Sequence, residues 1–206
     1  MAPVLPPTGF AGARLQFHEV PASRRFGRVY LGRYPDPLGF GKTPSRFSDP
    51  RRRIAANRFG VLYLGETLKV CFLEAVLRDQ RDGAIGDLPM EEAELHARHY
   101  AEIEVATPLR MVDLRDDGAI VMGVPTDVAK ASSQKLARAW SVAFHEHPEK
   151  PDGIIYPSRL NGHTNLAVFD RAIVNLLAVR QMKLAAAPGL ATVLNDLKVS
   201  IVGPDP

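Results

Sequence analysis

The pattern of apolar and polar positions along the chain predicts a series of short strands. Runs rich in β-branched and aromatic residues, bounded by glycine, proline or charged residues, are typical of strands. These runs are FGRVYL (26–31), GVLYL (60–64), AEIEVA (101–106), LRMVDL (109–114), DGIIYPSR (152–159), NLAVFD (165–170) and VSIV (199–202). Strands of this kind need a sheet, so the chain contains a substantial β-sheet core.

Helical spacing appears between the strands. Thr67 is a candidate N-cap for a helix whose apolar positions continue through Val70 to Leu77. A second, longer pattern covers residues 127–146, and shorter helices are expected over 91–99 and 189–197. Strands and helices do not alternate regularly, which predicts an α+β single domain: a mixed β-sheet core flanked by helices.

Two segments lack either pattern. Residues 1–14 are rich in proline and glycine and are expected to form a loosely ordered arm, with the folded domain covering 15–206. Residues 32–60 hold four prolines and four glycines and are expected to form a long loop. A long ordered loop in a compact domain is more often functional than not.

Composition restricts the class of protein. The chain has 206 residues, of which 46% are hydrophobic and 24% charged, as in ordinary folded proteins. A single cysteine, Cys71, excludes an internal disulfide and any cysteine-cluster metal site. The sequence shows no signal peptide and no apolar run that would span a bilayer, so a cytoplasmic location is expected.

The net charge is +3, and much of it is local, in the run Arg51, Arg52 and Arg53 and in nearby Arg58. Nucleic-acid-binding proteins usually show a wider basic excess. A non-enzymatic nucleic-acid-binding module using Arg51–Arg53 nevertheless stands as an alternative, as does a non-catalytic interaction domain. The local excess indicates a site that accepts anions.

One acid interrupts the first helical pattern. Glu74 lies among apolar residues, where it is either an i,i+4 partner of Arg78 on an exposed edge or a buried carboxylate. A buried carboxylate needs a compensating cation, and Arg46 in the preceding loop is a candidate. Tyr63 and Ser158, each at or near the end of a predicted strand, would singly be read as structural.

Together these segments resemble a known family. The succession GRVYLGRYPDPLGFG, SRFSDP, RFGVLYLGETLKVCFLEAVLRD, DGIIYPSR and TNLAVFD is similar to the RES domain family, the toxin components of bacterial RES–Xre toxin–antitoxin pairs. That family is named for an arginine, a glutamate and a serine. Glu74 matches the glutamate, Ser158 the serine and Arg46 the arginine of the R-F/W-S/N segment.

The resemblance also implies the surroundings of these residues. Tyr63 matches the family's strand aromatic, and an earlier arginine falls at Arg28 or at Arg33. The implied fold is that of the diphtheria-toxin-like ADP-ribosyltransferases, and the implied activity is consumption of NAD⁺ as substrate, without a metal. Glu74 would stabilise an oxocarbenium-like transition state, and the arginines would bind the pyrophosphate. Tyr63 would face the nicotinamide ring, which Ser158 would orient.

The resemblance leaves the fate of the ADP-ribosyl group open. It would be transferred to a protein acceptor, or NAD⁺ would be degraded by a glycohydrolase or phosphorylase reaction. The implied partner is a cognate Xre-type antitoxin that blocks the active site, and any contact with nucleic acid would be indirect, through that antitoxin. No membrane contact is expected.

Overall fold

Eight strands form one mixed sheet in the computed structural model, which describes residues 4–51, 54–80 and 82–203. The strands are β1 Phe17–Val20, β2 Arg25–Leu31, β3 Val61–Gly65, β4 Leu88–Glu91, β5 Arg98–Val105, β6 Leu109–Asp113, β7 Gly153–Pro157, β8 Thr164–Phe169, β9 Leu176–Lys183 and β10 Val199–Val202. The strand order in the large sheet is β1-β6-β7-β8-β3-β2-β5-β9, and β6 and β7 are the parallel pair among antiparallel neighbours. Two further strands, β4 and β10, form a separate parallel pair.

The helices are short. They are α1 Leu68–Phe72, α2 Glu92–His96, α3 Gly118–Val121, α4 Asp127–Lys130, α5 Lys135–His145 and α6 Leu190–Asp196. A π-helical turn, Leu73–Leu77, continues α1 directly. Thr67 caps α1 as predicted, because its hydroxyl oxygen accepts a hydrogen bond from the Val70 N–H at 3.2 Å.

The α+β class with a mixed sheet is confirmed, and every strand predicted from the pattern is present. The helix expected over 127–146 is divided in two, since Ala131 is extended with ψ of 149° and α5 begins only at Lys135. The serines at 132 and 133 favour non-helical backbone, which explains the break. Strands β1, β4 and β9 were not predicted. Strand β9 is an edge strand exposed along most of its length, so no alternation marks it.

The sheet curls between apolar clusters. On one face of the sheet, alternate residues of β3, β7 and β8 pack with Trp140 and Phe144 of α5. On the other face, the intervening residues of the same three strands pack with residues of β2 and β5. A third cluster joins α1, the π-helical turn and α6. Within residues 4–14, Phe10 is buried edge-on against Trp140, with ring centroids 4.9 Å apart. Among the helices that the structure describes, none has the length and apolar character to cross a membrane.

Candidate functional site

A cavity of about 370 Å³ opens where the carboxyl-terminal part of α1 approaches β2, β3 and the β7–β8 connection. Charged, aromatic and amide side chains line its wall: Arg28, Arg46, Glu74, Arg78, Asp79, Arg159, Tyr63, Tyr156 and Asn165. A larger hollow of about 430 Å³ lies beside α2 and α6. Its wall is mainly alanine and leucine, and its Glu92 and His96 pair with each other. The chemistry is therefore concentrated in the smaller cavity.

Two glycines allow α1 to lie close to the strands. Gly27 of β2 pairs with Gly65 of β3. A Cβ atom at Gly65 would lie 2.7 Å from the Cys71 Sγ, and one at Gly27 would lie 3.0 Å from the same sulfur. A side chain at either position would push the helix away. The pair therefore sets the distance at which the residues after Cys71 meet the sheet.

Glu74 lies on the π-helical turn. The Arg78 N–H donates to the Leu73 carbonyl at 2.7 Å, five residues back, and Arg78 then ends the turn with a positive φ of 45°. Single π-helical turns are rare and are frequently found at functional sites. The Arg78 guanidinium bonds the backbone carbonyl of Glu74 at 3.2 Å. The Glu74 carboxylate instead points to two other residues.

Those residues are Ser158 and Asn165. Glu74 Oε1 accepts a hydrogen bond from Ser158 Oγ at 2.7 Å and another from Asn165 Nδ2 at 3.0 Å. Ser158 directly follows β7 and Asn165 lies in the antiparallel neighbour β8, where it pairs with Tyr156. Both side chains are buried. The β7–β8 register thus brings two donors to one carboxylate oxygen.

Tyr63 organises the loop that carries Arg46. Its hydroxyl oxygen accepts a hydrogen bond from the Phe47 N–H at 2.8 Å and lies 2.9 Å from Ser45 Oγ. Ser141 of α5 donates to the Phe47 carbonyl at 2.6 Å, and the Phe47 ring is fully buried. Burial raises the pKa of Tyr63, so its phenol stays protonated. Arg46 is consequently presented from a segment anchored on both sides.

Arg28 and Arg46 bring positive charge to the cavity without a carboxylate partner among the described residues. Arg46 Nη1 donates to the Ala131 carbonyl at 2.9 Å, and Arg28 Nη1 donates to the Pro37 carbonyl. Burial lowers the pKa of Arg28 to about 10, against the raising influence of Tyr30 and Asp36. An inward-facing cation lacking an ion pair favours an anionic ligand.

Arg33, the rival to Arg28, lies elsewhere. It is exposed, its guanidinium stacks over the Tyr34 ring at 5.1 Å, and it is absent from the cavity wall. The cavity thus contains Arg28, Arg46, Tyr63 and Glu74 of the predicted residues, with Ser158 attached through Glu74.

Sequence reasoning missed two buried residues of the site, Tyr156 and Asn165. Tyr156 is buried, lines the cavity and packs edge-on against Phe47 with ring centroids 4.8 Å apart. Burial raises its pKa well above the usual value, so it remains a phenol. Both residues stand inside the matched segments DGIIYPSR and TNLAVFD, yet a buried strand position is ordinarily read as core. The available signal was the amide of Asn165 in an otherwise apolar strand.

The charges of the cavity wall do not balance. Its arginines are Arg28, Arg46, Arg78 and Arg159, and its carboxylates are Glu74 and Asp79. Arg159 and Asp79 form an ion pair, which leaves the other arginines to outnumber Glu74. In the part of the chain that the structure describes, no group of three or more histidine, cysteine, aspartate or glutamate side chains is arranged to hold a metal ion. The wall therefore suits a negatively charged ligand that also carries a hydrogen-bond donor or a centre of positive charge to face the Glu74 carboxylate.

Comparisons with known proteins identify the family of this chain and a solved structure with the same fold. A model of the RES domain matches residues 20–187. A protein of Sinorhizobium fredii (strain NBRC 101917 / NGR234), named "Probable toxin y4kH", is 42% identical over 127 residues, which are 61% of this chain and all of that protein. A chain of the crystal structure of the M. tuberculosis MbcT–MbcA toxin–antitoxin complex has the same fold. It superposes with a TM-score of 0.62 at 17% identity, over 93% of this chain and 98% of that one. The chain belongs to the RES domain family.

Proposed function

We propose that this protein is the toxin of a toxin–antitoxin pair and that it acts by cleaving the nicotinamide–ribose bond of NAD⁺. Membership of the RES family and the name of the Sinorhizobium relative support the first statement. The observation that carries the second is the Glu74 carboxylate, held by two donors at the wall of a cavity that also contains Arg28 and Arg46, which form no ion pair with the described residues.

The residues suit the charges of the substrate. The pyrophosphate of NAD⁺ carries two negative charges, and guanidinium groups bind such oxygens bidentately. Arg28 and Arg46 are the candidates for this contact. A cavity of about 370 Å³ falls within the range of small-molecule sites. The substrate would therefore lie with its phosphates toward the arginines and its nicotinamide ribose toward Glu74.

Glu74 would act on the reacting ribose. As the bond between C1′ and the nicotinamide nitrogen breaks, its electron pair leaves with nicotinamide, and C1′ gains positive charge. A fixed carboxylate stabilises such an oxocarbenium-like state. The acceptor that then bonds C1′ is water, phosphate or a protein side chain, and analysis of the products distinguishes these outcomes.

A cognate antitoxin would block this reaction by covering the cavity entrance. The solved structure of the same fold is a toxin–antitoxin complex. The wall of the present cavity includes the exposed residues Arg78 and Asp79 and the half-buried Arg159, which a partner could contact. An Xre-type partner is the one implied by the family. Mixing the purified pair and measuring NAD⁺ consumption at increasing antitoxin concentration tests this part of the proposal.

The catalytic proposal is tested with Glu74→Gln, which keeps the shape of the side chain and removes its charge. We expect loss of NAD⁺ consumption by about 100-fold or more, the usual cost of removing one electrostatic stabiliser of a transition state. Glu19→Gln, at an exposed position of β1 outside the cavity wall, is the matched control and should retain full activity. Absence of NAD⁺ consumption by the wild-type protein, or equal rates for wild type and Glu74→Gln, would overturn the proposal.

A further inference from the structure

The two oxygens of the Glu74 carboxylate have different surroundings. Oε1 accepts from both Ser158 Oγ and Asn165 Nδ2, whereas Oε2 makes no hydrogen bond to any residue that the structure describes. Because an ionised carboxylate only accepts hydrogen bonds, the group of Asn165 that faces it is the amide nitrogen. Oε1 is thus held by hydrogen bonds from Ser158 and Asn165, and Oε2 is free to accept a hydrogen bond from a ligand.

We propose that Ser158 and Asn165 are a pair of positioning residues, which fix Glu74 through Oε1 so that Oε2 is the oxygen that meets the substrate ribose. The inference rests on the proposed function. It gives Asn165 a part in the reaction, and it moves Ser158 from contact with nicotinamide to action through Glu74.

The hydrogen bonds of Ser158 support this assignment. Its hydroxyl donates to Glu74 and accepts from the Leu160 N–H at 3.1 Å, so its one proton is already used. The residue is buried and does not belong to the cavity wall. Its backbone N–H donates to the His163 carbonyl at 2.6 Å and its carbonyl accepts from the Gly162 N–H at 2.9 Å. Ser158 is therefore held by a tight turn rather than turned toward a ligand.

Two donors restrain the Glu74 carboxylate more than one donor would. The last torsion of a glutamate side chain is broad and roughly two-fold, so a carboxylate held at one point still rotates. Ser158 follows β7 and Asn165 lies in β8, and the antiparallel pairing of these strands fixes the spacing of the donors. Donors aimed from the protein before the reaction begins lower the reorganisation needed in the transition state.

The test separates kcat from KM. In Ser158→Ala and in Asn165→Ala we expect kcat for NAD⁺ consumption to fall about 10-fold each, the size of a hydrogen bond to a charged group. KM should change less than about two-fold, because both residues act on the reacting ribose through Glu74 rather than by binding the phosphates. The controls are Ser200→Ala in β10 and Asn195→Ala in α6, both exposed positions outside the cavity wall. A rise in KM at constant kcat would overturn the assignment.

Two comparisons exclude a merely structural role. In a Glu74→Gln background, Ser158→Ala should cause little further loss, since the serine acts through the carboxylate. At pH 8, Asn165→Asp should be more harmful than Asn165→Ala, because a second carboxylate would repel Glu74. A packing role predicts the opposite order, since aspartate is nearly the size of asparagine. A large further loss from Ser158→Ala in the Glu74→Gln background would contradict the role of Ser158. An Asn165→Asp variant that is more active than Asn165→Ala would contradict the role of Asn165.

The positions of the side chains are also measured without turnover. Crystal structures of wild type and of the Ser158→Ala/Asn165→Ala double variant should show Glu74 in one rotamer in the first and in several in the second. If wild type consumes no NAD⁺ but this difference is found, the proposed function fails and the positioning role stands. If Glu74 keeps one rotamer in the double variant, the positioning role fails whatever the activity.

Discussion

Arg46 and Arg51 lie five residues apart in the same loop, yet their guanidinium groups have different surroundings. Arg51 donates from Nε and Nη2 to the Asp49 carboxylate at 2.8 and 2.7 Å and pairs with Glu146 as well. Arg46 donates to a backbone carbonyl and lines the cavity. Arg28 resembles Arg46 in this respect. Arg52 and Arg53, the rest of the arginine run, lie outside the described residues.

The difference separates two uses of a positive charge. The Asp49 side chain is completely buried, and Arg51 compensates the charge of this buried carboxylate within the fold. The charges of Arg28 and Arg46 have no such carboxylate within the described chain and remain available to a ligand. A nucleic-acid surface built on the arginine run is therefore not favoured, because its described member is already engaged. The following predictions test this contrast.

The largest effect is expected for the cavity arginines. Arg46→Met and Arg28→Met keep the length of the side chain and remove its charge. We expect kcat/KM for NAD⁺ to fall by about 10- to 100-fold, the size of a charge-assisted hydrogen bond to phosphate. The free energy of unfolding should stay equal or rise, since an uncompensated cation is removed. Steady-state kinetics and urea denaturation of the same preparations measure both. A stable variant with wild-type kinetics would contradict the contrast.

Arg51→Met should show the opposite effects, a loss of stability with little change in kcat/KM. We expect the free energy of unfolding to fall by about 2 kcal/mol, less than the roughly 3–5 kcal/mol of a fully buried pair because part of the Arg51 side chain is exposed. The kcat/KM of the folded fraction should stay near that of wild type. Urea denaturation followed by circular dichroism provides the measurement, and Arg51→Lys, which retains the charge, is the control with a smaller loss.

The Asp49–Arg51 contribution should depend on pH. Burial by itself raises the pKa of Asp49, but the hydrogen bonds and charge of Arg51, with a backbone N–H of Phe59, outweigh it and lower the pKa below the usual 3.8. A depressed folded-state pKa adds stability above the unfolded-state value, and this is lost as the pH falls through the folded-state value. The difference in unfolding free energy between wild type and Arg51→Met should thus shrink from pH 7 to pH 3. A constant difference would contradict the ion-pair explanation.

The smallest effect is expected at Arg33. Arg33→Met removes an exposed charge that stacks on Tyr34 outside the cavity. We expect turnover within about two-fold of wild type and an unfolding free energy within about 0.5 kcal/mol, as for most surface substitutions. If Arg33→Met abolished NAD⁺ consumption while Arg28→Met did not, the two arginines would exchange roles.

The sequence pattern made Glu74 conspicuous, because a carboxylate inside an apolar helical pattern contradicts the usual separation of polar and apolar faces. The family resemblance then selected it as a candidate site residue. The π-helical turn that carries Glu74 was not identifiable, since one extra residue per turn leaves the apolar pattern nearly unchanged. Asn165 and Tyr156 were not identified from the sequence for a different reason. Positions in buried strands are ordinarily core, and only the β7–β8 pairing shows that they face a cavity.

The same distinction holds for the whole molecule. Local pattern determined seven of the ten strands that the structure describes, the cap of α1 and the α+β class, because the apolar periodicity of a segment depends on that segment alone. Family resemblance added a set of candidate residues. The choice between a paired and an unpaired arginine, the two donors on Glu74 Oε1 and the position of Arg28 on the cavity wall were decided by the tertiary structure. Each depends on residues far apart in the chain, whose spacing follows from strand register and helix packing.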